Sequence, residues 1–313
     1  MAEYSIGLDL GGTNLRAAAI DRQGHVLGRS STDTNPAAGR EAMLAHMVNA
    51  ISELRGACGS DGLAGIGIGV AGFILLKEGV IRNSNNLVCL EDFPIRDEME
   101  HRLGTRIVLE NDANAAALGE QWMGAGRGVD DLVLLTLGTG IGGGIISGGK
   151  VIHGYLGMAG ELGHVTVIPN GNPCGCGNQG CLEKHASATA ITAMANMLHL
   201  GADLTSREIY DLAVGGNEKA RRIFTIMGQA LGIALATLIN TFNFPLYLLS
   251  GGVLAAWDLF APPMLEEVRR RSFTFRNSDT RIEKATLGNE AGLFGAACLP
   301  WVEAPASQPA ITE

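Results

Sequence analysis

Three cysteines, Cys174, Cys176 and Cys181, lie within eight residues of one another, in the spacing C-x-C-x₄-C. The glycines between them permit the sharp turns that three thiolates need in order to converge on one cation. His164, ten residues upstream of the first cysteine, is the nearest plausible fourth ligand. Four protein ligands leave no open position for water, so the spacing predicts a structural Zn²⁺ site rather than three free thiols.

Two glutamates bracket this cluster. Glu161 lies three residues before His164, and Glu183 lies two residues after Cys181. Carboxylates held there could accept hydrogen bonds from sugar hydroxyls, and the alternative is that both are solvated surface acids.

A second pattern joins a carboxylate to glycines and a hydroxyl. In Asp9-Leu10-Gly11-Gly12-Thr13, residues without Cβ allow backbone N–H groups to approach an anion, which suits phosphates with Mg²⁺. An ordinary glycine turn is the alternative, but the glycine loop recurs at residue 138. The residues expected to lie near the phosphates are Asp9, Gly11, Gly12, Thr13, Gly138, Thr139 and Gly140.

Two stretches of the sequence resemble familiar nucleotide-binding motifs without fulfilling their requirements. Residues 138–143 match GxGxxG, but the following stretch 143–149 is too rich in glycine for the helix that the dinucleotide motif requires. Residues 144–150 approach a P-loop, but Val151 stands where a hydroxyl should hold Mg²⁺. A third corner, Gly251-Gly252, could lie against a flat ligand such as adenine or could equally cap a helix.

The junction at Asp112 is another candidate site. The sequence runs from an apolar strand through Glu110 and Asn111 into an alanine-rich helix, and ligands collect at the carboxyl ends of strands in open α/β sheets. The alternative is that Asp112 only caps the helix, a role worth about 1 kcal/mol. Asn111 and Asn114 flank it.

Alternating strands and helices position these groups and predict an α/β fold. The order of strand, glycine turn and strand that begins at residue 4 is repeated from residue 132, an offset of about 128 residues. The chain is therefore predicted to consist of two similar halves. Strands are predicted at 4–10, 15–21, 25–29, 63–70, 106–109, 132–137, 143–147, 150–153 and 246–249. Helices are predicted at 41–55, 95–103, from 112, and at 181–199, 206–214, 218–241, 263–271 and 290–299.

Composition excludes several classes of protein. The 313 residues are 46% hydrophobic and 18% charged, which is typical of a packed globular protein. A net charge of −9 leaves no broad cationic face for nucleic acid or an anionic membrane. No leader or spanning segment is apparent, since the longest apolar stretch, near 230–239, is about half the length a membrane requires. We therefore expect a cytoplasmic chain.

Taken together and in this order, the motifs resemble those of the ROK family (repressors, open reading frames and sugar kinases), and within it the bacterial glucokinases. The resemblance covers residues 4 to about 299 and rests on six segments. They are DLGGT at 9–13, ENDAN at 110–114, GTGIG at 138–142, GELGH at 160–164, the cysteine cluster ending in Glu183, and SGG at 250–252.

The resemblance implies a duplicated actin-like ATPase (ribonuclease H-like) fold with two domains around a cleft. The smaller domain would comprise residues 1–113 with about 290–300, the larger domain 114–289, and residues 301–313 a flexible tail. We also expect a homo-oligomer, either a dimer or a tetramer.

The resemblance further implies a glucokinase that uses ATP and Mg²⁺ and carries structural Zn²⁺. Asp112 would be the general base, and the glycine loops would bind the phosphates. The hexose would be bound by Asn86, Asn111, Asp112, Glu161, His164 and Glu183, with His164 using one ring nitrogen for zinc and the other for sugar.

Other functions remain to be weighed. N-acetylhexosamine, N-acetylmannosamine and fructose kinases occur in the same family, and a sugar sensor without turnover would keep the same pocket. A DNA-binding repressor would require a helix-turn-helix domain ahead of the first glycine loop. Only eight residues precede Asp9, so we expect an enzyme.

Overall fold

A computed structural model describes residues 3–84 and 86–302 of the chain. Within these residues the strands are β1 (Tyr4–Leu10), β2 (Asn14–Asp21), β3 (Val26–Asp33), β4 (Leu63–Val70), β5 (Phe73–Leu75), β6 (Val80–Asn83), β7 (Ile107–Asn111), β8 (Leu132–Leu137), β9 (Ile141–Ser147), β10 (Lys150–Val151), β11 (Leu246–Ser250) and β12 (Arg281–Lys284). The α-helices are α1 (Arg40–Cys58), α2 (Ile95–Leu103), α3 (Asp112–Met123), α4 (Glu183–Ala186), α5 (Ala188–Met197), α6 (Ser206–Val214), α7 (Glu218–Phe242), α8 (Trp257–Arg271) and α9 (Ala291–Val302).

The chain forms two compact units with the same sheet topology. The first unit takes residues up to Met123, Gly154–Met158 and the residues from Glu290 onward, and the second takes Gly124–His153 and Ala159–Asn289. The strand orders are β3-β2-β1-β4-β7 and β10-β9-β8-β11-β12. Each sheet joins a three-stranded antiparallel hairpin to two parallel strands. The duplication predicted from the sequence is confirmed.

In the first unit, the two faces of β1 carry different kinds of residue. Ile6, Leu8 and Leu10 are fully buried in the core that includes α1. Ser5 and Gly7 face α9, and the Ser5 hydroxyl donates to the Ala297 carbonyl at 2.5 Å. Successive side chains of a strand point to opposite faces, so the same alternation places Asp9, at the end of β1, on the α9 side.

Small residues bring α9 unusually close to this sheet. A Cβ added at Gly67 of β4 would overlap the carbonyl oxygen of Ala296 in α9. A Cβ at Gly295 would likewise overlap the carbonyl oxygen of Ala115 in α3. Helix α3 therefore belongs with α9 in the first unit, which extends to Met123, whereas we predicted a division after residue 113.

The core of the second unit is built around α7. Val133, Leu135 and Tyr247 from β8 and β11 are buried in one cluster with α7 and α8. Helix α7 is long and apolar enough to cross a membrane, with a mean hydropathy of 1.7 over its most apolar stretch, but 67% of that stretch is buried inside the protein. It is thus the central core helix of the unit.

Two predicted helices begin or end elsewhere. The predicted helix 181–199 is broken at Ser187, whose backbone is extended and whose hydroxyl accepts the Ala190 N–H at 3.1 Å. Serine at an N-cap starts a new helix in this way. Helix α8 begins at Trp257 rather than 263, with Pro262 and Pro263 inside it, and Phe260, in the turn before the prolines, is fully buried.

Three short strands were not predicted from the sequence. The hairpin β5–β6 and the edge strand β12 contain three or four residues each, too few for a periodicity to be recognised. Helix α9 continues to Val302, so Trp301 and Val302 are helical rather than part of the predicted tail. The rest of that tail, 303–313, lies outside the described residues.

We predict that Trp301→Ala lowers the free energy of unfolding by about 2 kcal/mol. The Trp301 ring packs edge-on against Trp122 at 5.1 Å between centroids, and Arg22 lies 5.7 Å from the Trp301 ring centre. Guanidinium unfolding curves would measure the change. Val302→Ala is the control, since Val302 is 48% exposed. Equal midpoints for both variants would contradict the packing role of Trp301.

Candidate active site and metal centre

The ends of three parallel strands meet at one edge of the first sheet. The register pairs Leu10 of β1 with Val70 of β4, and Val70 with Asn111 of β7. The loops that follow these strands therefore leave the sheet side by side. This edge is where open α/β sheets bind ligands.

The glycine loop after β1 is held by a threonine that the sequence analysis missed. The hydroxyl of Thr34, which is fully buried, donates to the Gly11 carbonyl at 2.9 Å, and its N–H donates to the Thr13 carbonyl at 2.9 Å. A Cβ added at Gly12 would lie 2.7 Å from the Cβ of Asn86. The loop thus lies against Asn86, an exposed residue that we predicted in the sugar site.

Asp9 is charge-paired within the same hairpin. Arg16 lies directly opposite Asp9 in the β1–β2 register, and its guanidinium donates to the Asp9 carboxylate. The same guanidinium is 3.9 Å from the carboxylate of Glu290, which also pairs with Arg29. Arg16 was not identified from the sequence, because its importance depends on the cross-strand register.

Capping of α3 is carried out by Asn111. Its Oδ1 accepts the N–H groups of Ala113 at 2.9 Å and Asn114 at 3.2 Å, and its Nδ2 donates to the Gly72 carbonyl at 3.1 Å. Asp112 is exposed, and its Oδ1 shares the Ala113 N–H with Asn111, accepting it at 2.9 Å. The carboxylate of Asp112 is therefore held at the sheet edge, beside the N-terminus of α3.

Glu110 stabilises this junction from within the unit. Its side chain is 1% exposed, and its Oε1 accepts the Asn111 N–H at 2.8 Å and the Asn114 Nδ2 at 3.0 Å. Buried polar groups are generally satisfied in this way. The residues before and after Asp112 are therefore both anchored.

The second unit carries the other two glycine loops. The turn between β8 and β9 is closed by the Gly138 N–H, which donates to the Gly140 carbonyl at 3.0 Å. A strand follows this turn rather than a helix, which confirms that neither the dinucleotide motif nor the P-loop is present there. Gly251, with φ +100°, follows β11, and a Cβ there would overlap the Leu137 carbonyl oxygen. The third glycine corner therefore lies against the strand end that leads to the second loop.

The predicted metal ligands form one cluster. The Nδ1 or Nε2 of His164 and the Sγ atoms of Cys174, Cys176 and Cys181 lie within 4.8 Å of one another. Cys174 Sγ is 3.6 Å from His164 Nδ1, and Cys176 Sγ is 3.7 Å from Cys181 Sγ. Zn–S bonds of about 2.3 Å at tetrahedral angles separate sulfurs by about 3.8 Å. These residues fit a Zn²⁺ ion.

The thiols of the cluster differ in acidity. The backbone N–H of Asn178 holds the pKa of the Cys176 thiol below its ordinary value. Burial, together with the neighbouring thiols of Cys176 and Cys174, raises the pKa of the Cys181 thiol to about 12. A cation bound here would therefore displace a proton from Cys181.

The two glutamates predicted to bind sugar lie on either side of the cluster. His164 turns Nδ1 toward Cys174, and its Nε2 is 4.0 Å from Glu161 Oε2. Glu183 Oε2 accepts the Ile141 N–H at 3.1 Å, and Lys184 Nζ lies 3.7 Å from Glu183 Oε1. Glu183 is thus attached to the second glycine loop, a contact that the sequence did not indicate.

The predicted site residues therefore form one group in each unit. The first unit brings together Asp9, Gly11, Gly12, Thr13, Asn86, Asn111 and Asp112. The second unit brings together Gly138, Thr139, Gly140, Glu161, His164, Cys174, Cys176, Cys181, Glu183, Gly251 and Gly252.

The chain is similar over nearly its whole length to known proteins. Residues 5–302 match the ROK family. A glucokinase from Halalkalibacterium halodurans is 36% identical over 95% of this chain and 94% of its own length. The chain belongs to the ROK family, and its fold is the duplicated actin-like ATPase fold.

Two solved structures are also similar. A ROK hexokinase from Thermus thermophilus superimposes with a TM-score of 0.86 at 38% identity, covering 94% of this chain and 96% of that protein. A ROK family glucokinase from Streptomyces griseus, solved with glucose and AMPPNP, gives a TM-score of 0.75 at 35% identity, covering 95% and 98%.

We predict that Asn111→Ala destabilises the protein by about 1 kcal/mol, because α3 loses its N-cap. Asp112→Asn should cost less, since it preserves shape and Asn111 makes two of the capping bonds. Chemical denaturation of both variants without ligand checks this. A greater loss of stability in Asp112→Asn than in Asn111→Ala would show that the assignment of the cap to Asn111 is wrong.

Proposed function

We propose that this chain is an ATP-dependent hexokinase of the ROK family that acts as a glucokinase, phosphorylating the 6-hydroxyl of glucose. Relatives that match nearly its whole length are named glucokinases. The observation that carries the proposal is the placement of Asp112. It is an exposed carboxylate at the same sheet edge as the glycine loop after β1.

Asp112 is the general base of the proposed reaction. It accepts the proton of the sugar 6-hydroxyl as that oxygen forms a bond to the γ-phosphorus of ATP. The bond from the γ-phosphorus to the oxygen bridging the β- and γ-phosphates breaks, and ADP leaves. The anchors at Glu110 and Asn111 fix the carboxylate in position, which lowers the entropic cost of reaching the reactive arrangement.

The glycine loops receive the phosphates. The loops Gly11–Thr13 and Gly138–Gly140 are assigned to phosphoryl oxygens, with the N–H groups of Thr139 and Gly140 and the hydroxyls of Thr13 and Thr139 as donors. Gly251 and Gly252 are assigned to the adenosine side of the nucleotide. Bound Mg²⁺ supplies neutralisation of charge on the triphosphate, and Asp9 is assigned to hold its water ligands.

Sugar hydroxyls are assigned to five side chains besides Asp112: Asn86, Asn111, Glu161, His164 and Glu183. The orientation of His164 supports this assignment, since Nδ1 faces the cysteines and Nε2 faces Glu161. One ring nitrogen is thereby left for the metal and the other for the sugar.

We assign Zn²⁺ to His164, Cys174, Cys176 and Cys181 as a structural ion. Four protein ligands close the coordination sphere. The ion holds in place the segment that carries Glu161 and Glu183. We also place the enzyme in the cytoplasm, working as a homo-oligomer, either a dimer or a tetramer.

Two other functions are tested by the same experiment. Relatives of this chain also carry the names N-acetyl-D-glucosamine kinase and xylose repressor. A coupled assay of ADP release over glucose, mannose, fructose, glucosamine, N-acetylglucosamine and N-acetylmannosamine separates them. Glucose should give the highest kcat/KM. Preference for an N-acetylated sugar would indicate the related kinase activity, and hexose binding without any turnover would indicate a sugar sensor.

We predict that Asp112→Asn keeps glucose binding but reduces kcat by about 10²–10⁴-fold, because an amide cannot accept the hydroxyl proton. Calorimetry measures the binding and the ADP assay the turnover. Asp279→Asn, an exposed change in the second unit, should behave as wild type. Near-normal turnover in Asp112→Asn would refute the assignment of the base.

We predict that Cys176→Ser lowers zinc content, thermal midpoint and glucose affinity together, because the ion orders the glutamates. Elemental analysis should find roughly one Zn²⁺ per wild-type chain and less in the variant. Cys89→Ser, which changes a cysteine outside the cluster, should retain the metal. A zinc-free wild-type preparation with unchanged midpoint and glucose affinity would contradict this role.

A further inference from the structure

The segment from Glu183 to Thr189 holds the glycine loop between β8 and β9 by three hydrogen bonds. We propose that this segment is a clamp for the nucleotide phosphates, with Thr189 as a positioning residue for nucleotide binding. The inference rests on the proposed function, because it takes the loop Gly138–Gly140 to be a phosphate site. All of its contacts lie within the second unit.

The first point of the clamp is a backbone hydrogen bond. Ala188 begins α5, and its N–H donates to the Gly138 carbonyl at 2.9 Å. The first N–H groups of a helix have no acceptor within the helix. The break at Ser187 therefore frees a donor, and the glycine loop supplies its acceptor.

The second point is the Thr189 hydroxyl. It donates to the Thr139 carbonyl at 2.7 Å. This bond joins an exposed residue of the loop to the first turn of α5, a helix fixed in the core by the buried Ile191. Without it, the peptide between Thr139 and Gly140 would lose a side-chain anchor.

The third point is the Glu183 carboxylate. Its Oε2 accepts the Ile141 N–H at 3.1 Å, and a Cβ at Gly140 would lie 2.5 Å from that oxygen. Glycine at 140 is therefore what allows the carboxylate to reach the loop. Glu183 lies two residues beyond Cys181, so the clamp begins where the metal cluster ends.

Two backbone N–H groups of the loop have no acceptor among the described residues. The N–H groups of Thr139 and Gly140 make no hydrogen bond within residues 3–84 and 86–302. With the carbonyls of Gly138 and Thr139 occupied and the Ile141 N–H bound, these two groups are held ready for phosphoryl oxygens. Ordering a loop before its ligand arrives removes that entropic cost from binding.

Three variants of α5 test the clamp. Thr189→Val removes the hydroxyl without changing shape, and Thr189→Ser restores a hydroxyl. Thr192→Val is the matched control, because the Thr192 hydroxyl also donates to a backbone carbonyl, that of Thr189, at 2.9 Å. Calorimetry with Mg·AMPPNP and, separately, with glucose measures the two affinities, and thermal unfolding compares stabilities.

Thr189→Val should weaken AMPPNP binding about two- to tenfold, the range supplied by one neutral hydrogen bond, and leave glucose affinity unchanged. Thr189→Ser should recover most of the nucleotide affinity, and Thr192→Val should match wild type. Equal AMPPNP affinity in Thr189→Val and wild type, or equal losses for both ligands, would overturn the clamp. Wild-type protein that binds no AMPPNP would instead refute the proposed function.

Discussion

Parallel pairing of strands at a fixed register is the constraint on which the site depends. In the first unit it sets Leu10, Val70 and Asn111 in one row, with the first glycine loop and Asp112 immediately after it. In the second unit Thr136 pairs with Ser250, so two glycine loops leave the same edge. A slip of one residue would turn Asp9 from the α9 face into the apolar core.

Glycine serves two physical purposes in this chain. At Gly67 it allows α9 to lie directly on the sheet, where any side chain would overlap Ala296. At Gly12 and Gly140 it makes room for polar side chains beside a loop, Asn86 in one case and Glu183 in the other. Each of these loops also offers a carbonyl to a threonine hydroxyl, from Thr34 and from Thr189. The two halves thus hold their loops by the same kind of bond.

The stretch between β10 and α4 contains one short 3-10 turn, Leu162–His164, and few other regular elements. A loop of this length inside a compact unit needs some other source of order. His164 and three cysteines lie together in this stretch, and their chemistry suits Zn²⁺. Glu161 precedes His164 by three residues and Glu183 follows Cys181 by two.

Features that depend only on residues close together in the chain could be predicted from the sequence. The strands Tyr4–Leu10, Leu63–Val70 and Leu132–Leu137 were predicted at their observed bounds, because continuous apolar runs bounded by turns need no distant information. The proximity of His164 to the three cysteines was likewise predicted, because these residues are close in the chain, and they lie together in the fold.

Tertiary structure decided which side chains and backbone groups bond to one another. Arg16 acquires its role only when the hairpin register sets it opposite Asp9. Thr34 and Thr189 act on loops that lie far from them in the sequence. Asn111, rather than Asp112, caps α3 because of how β7 delivers it to the helix. Residue types and their periodicity are properties of the sequence, whereas which donor meets which acceptor depends on strand pairing and helix packing across long separations.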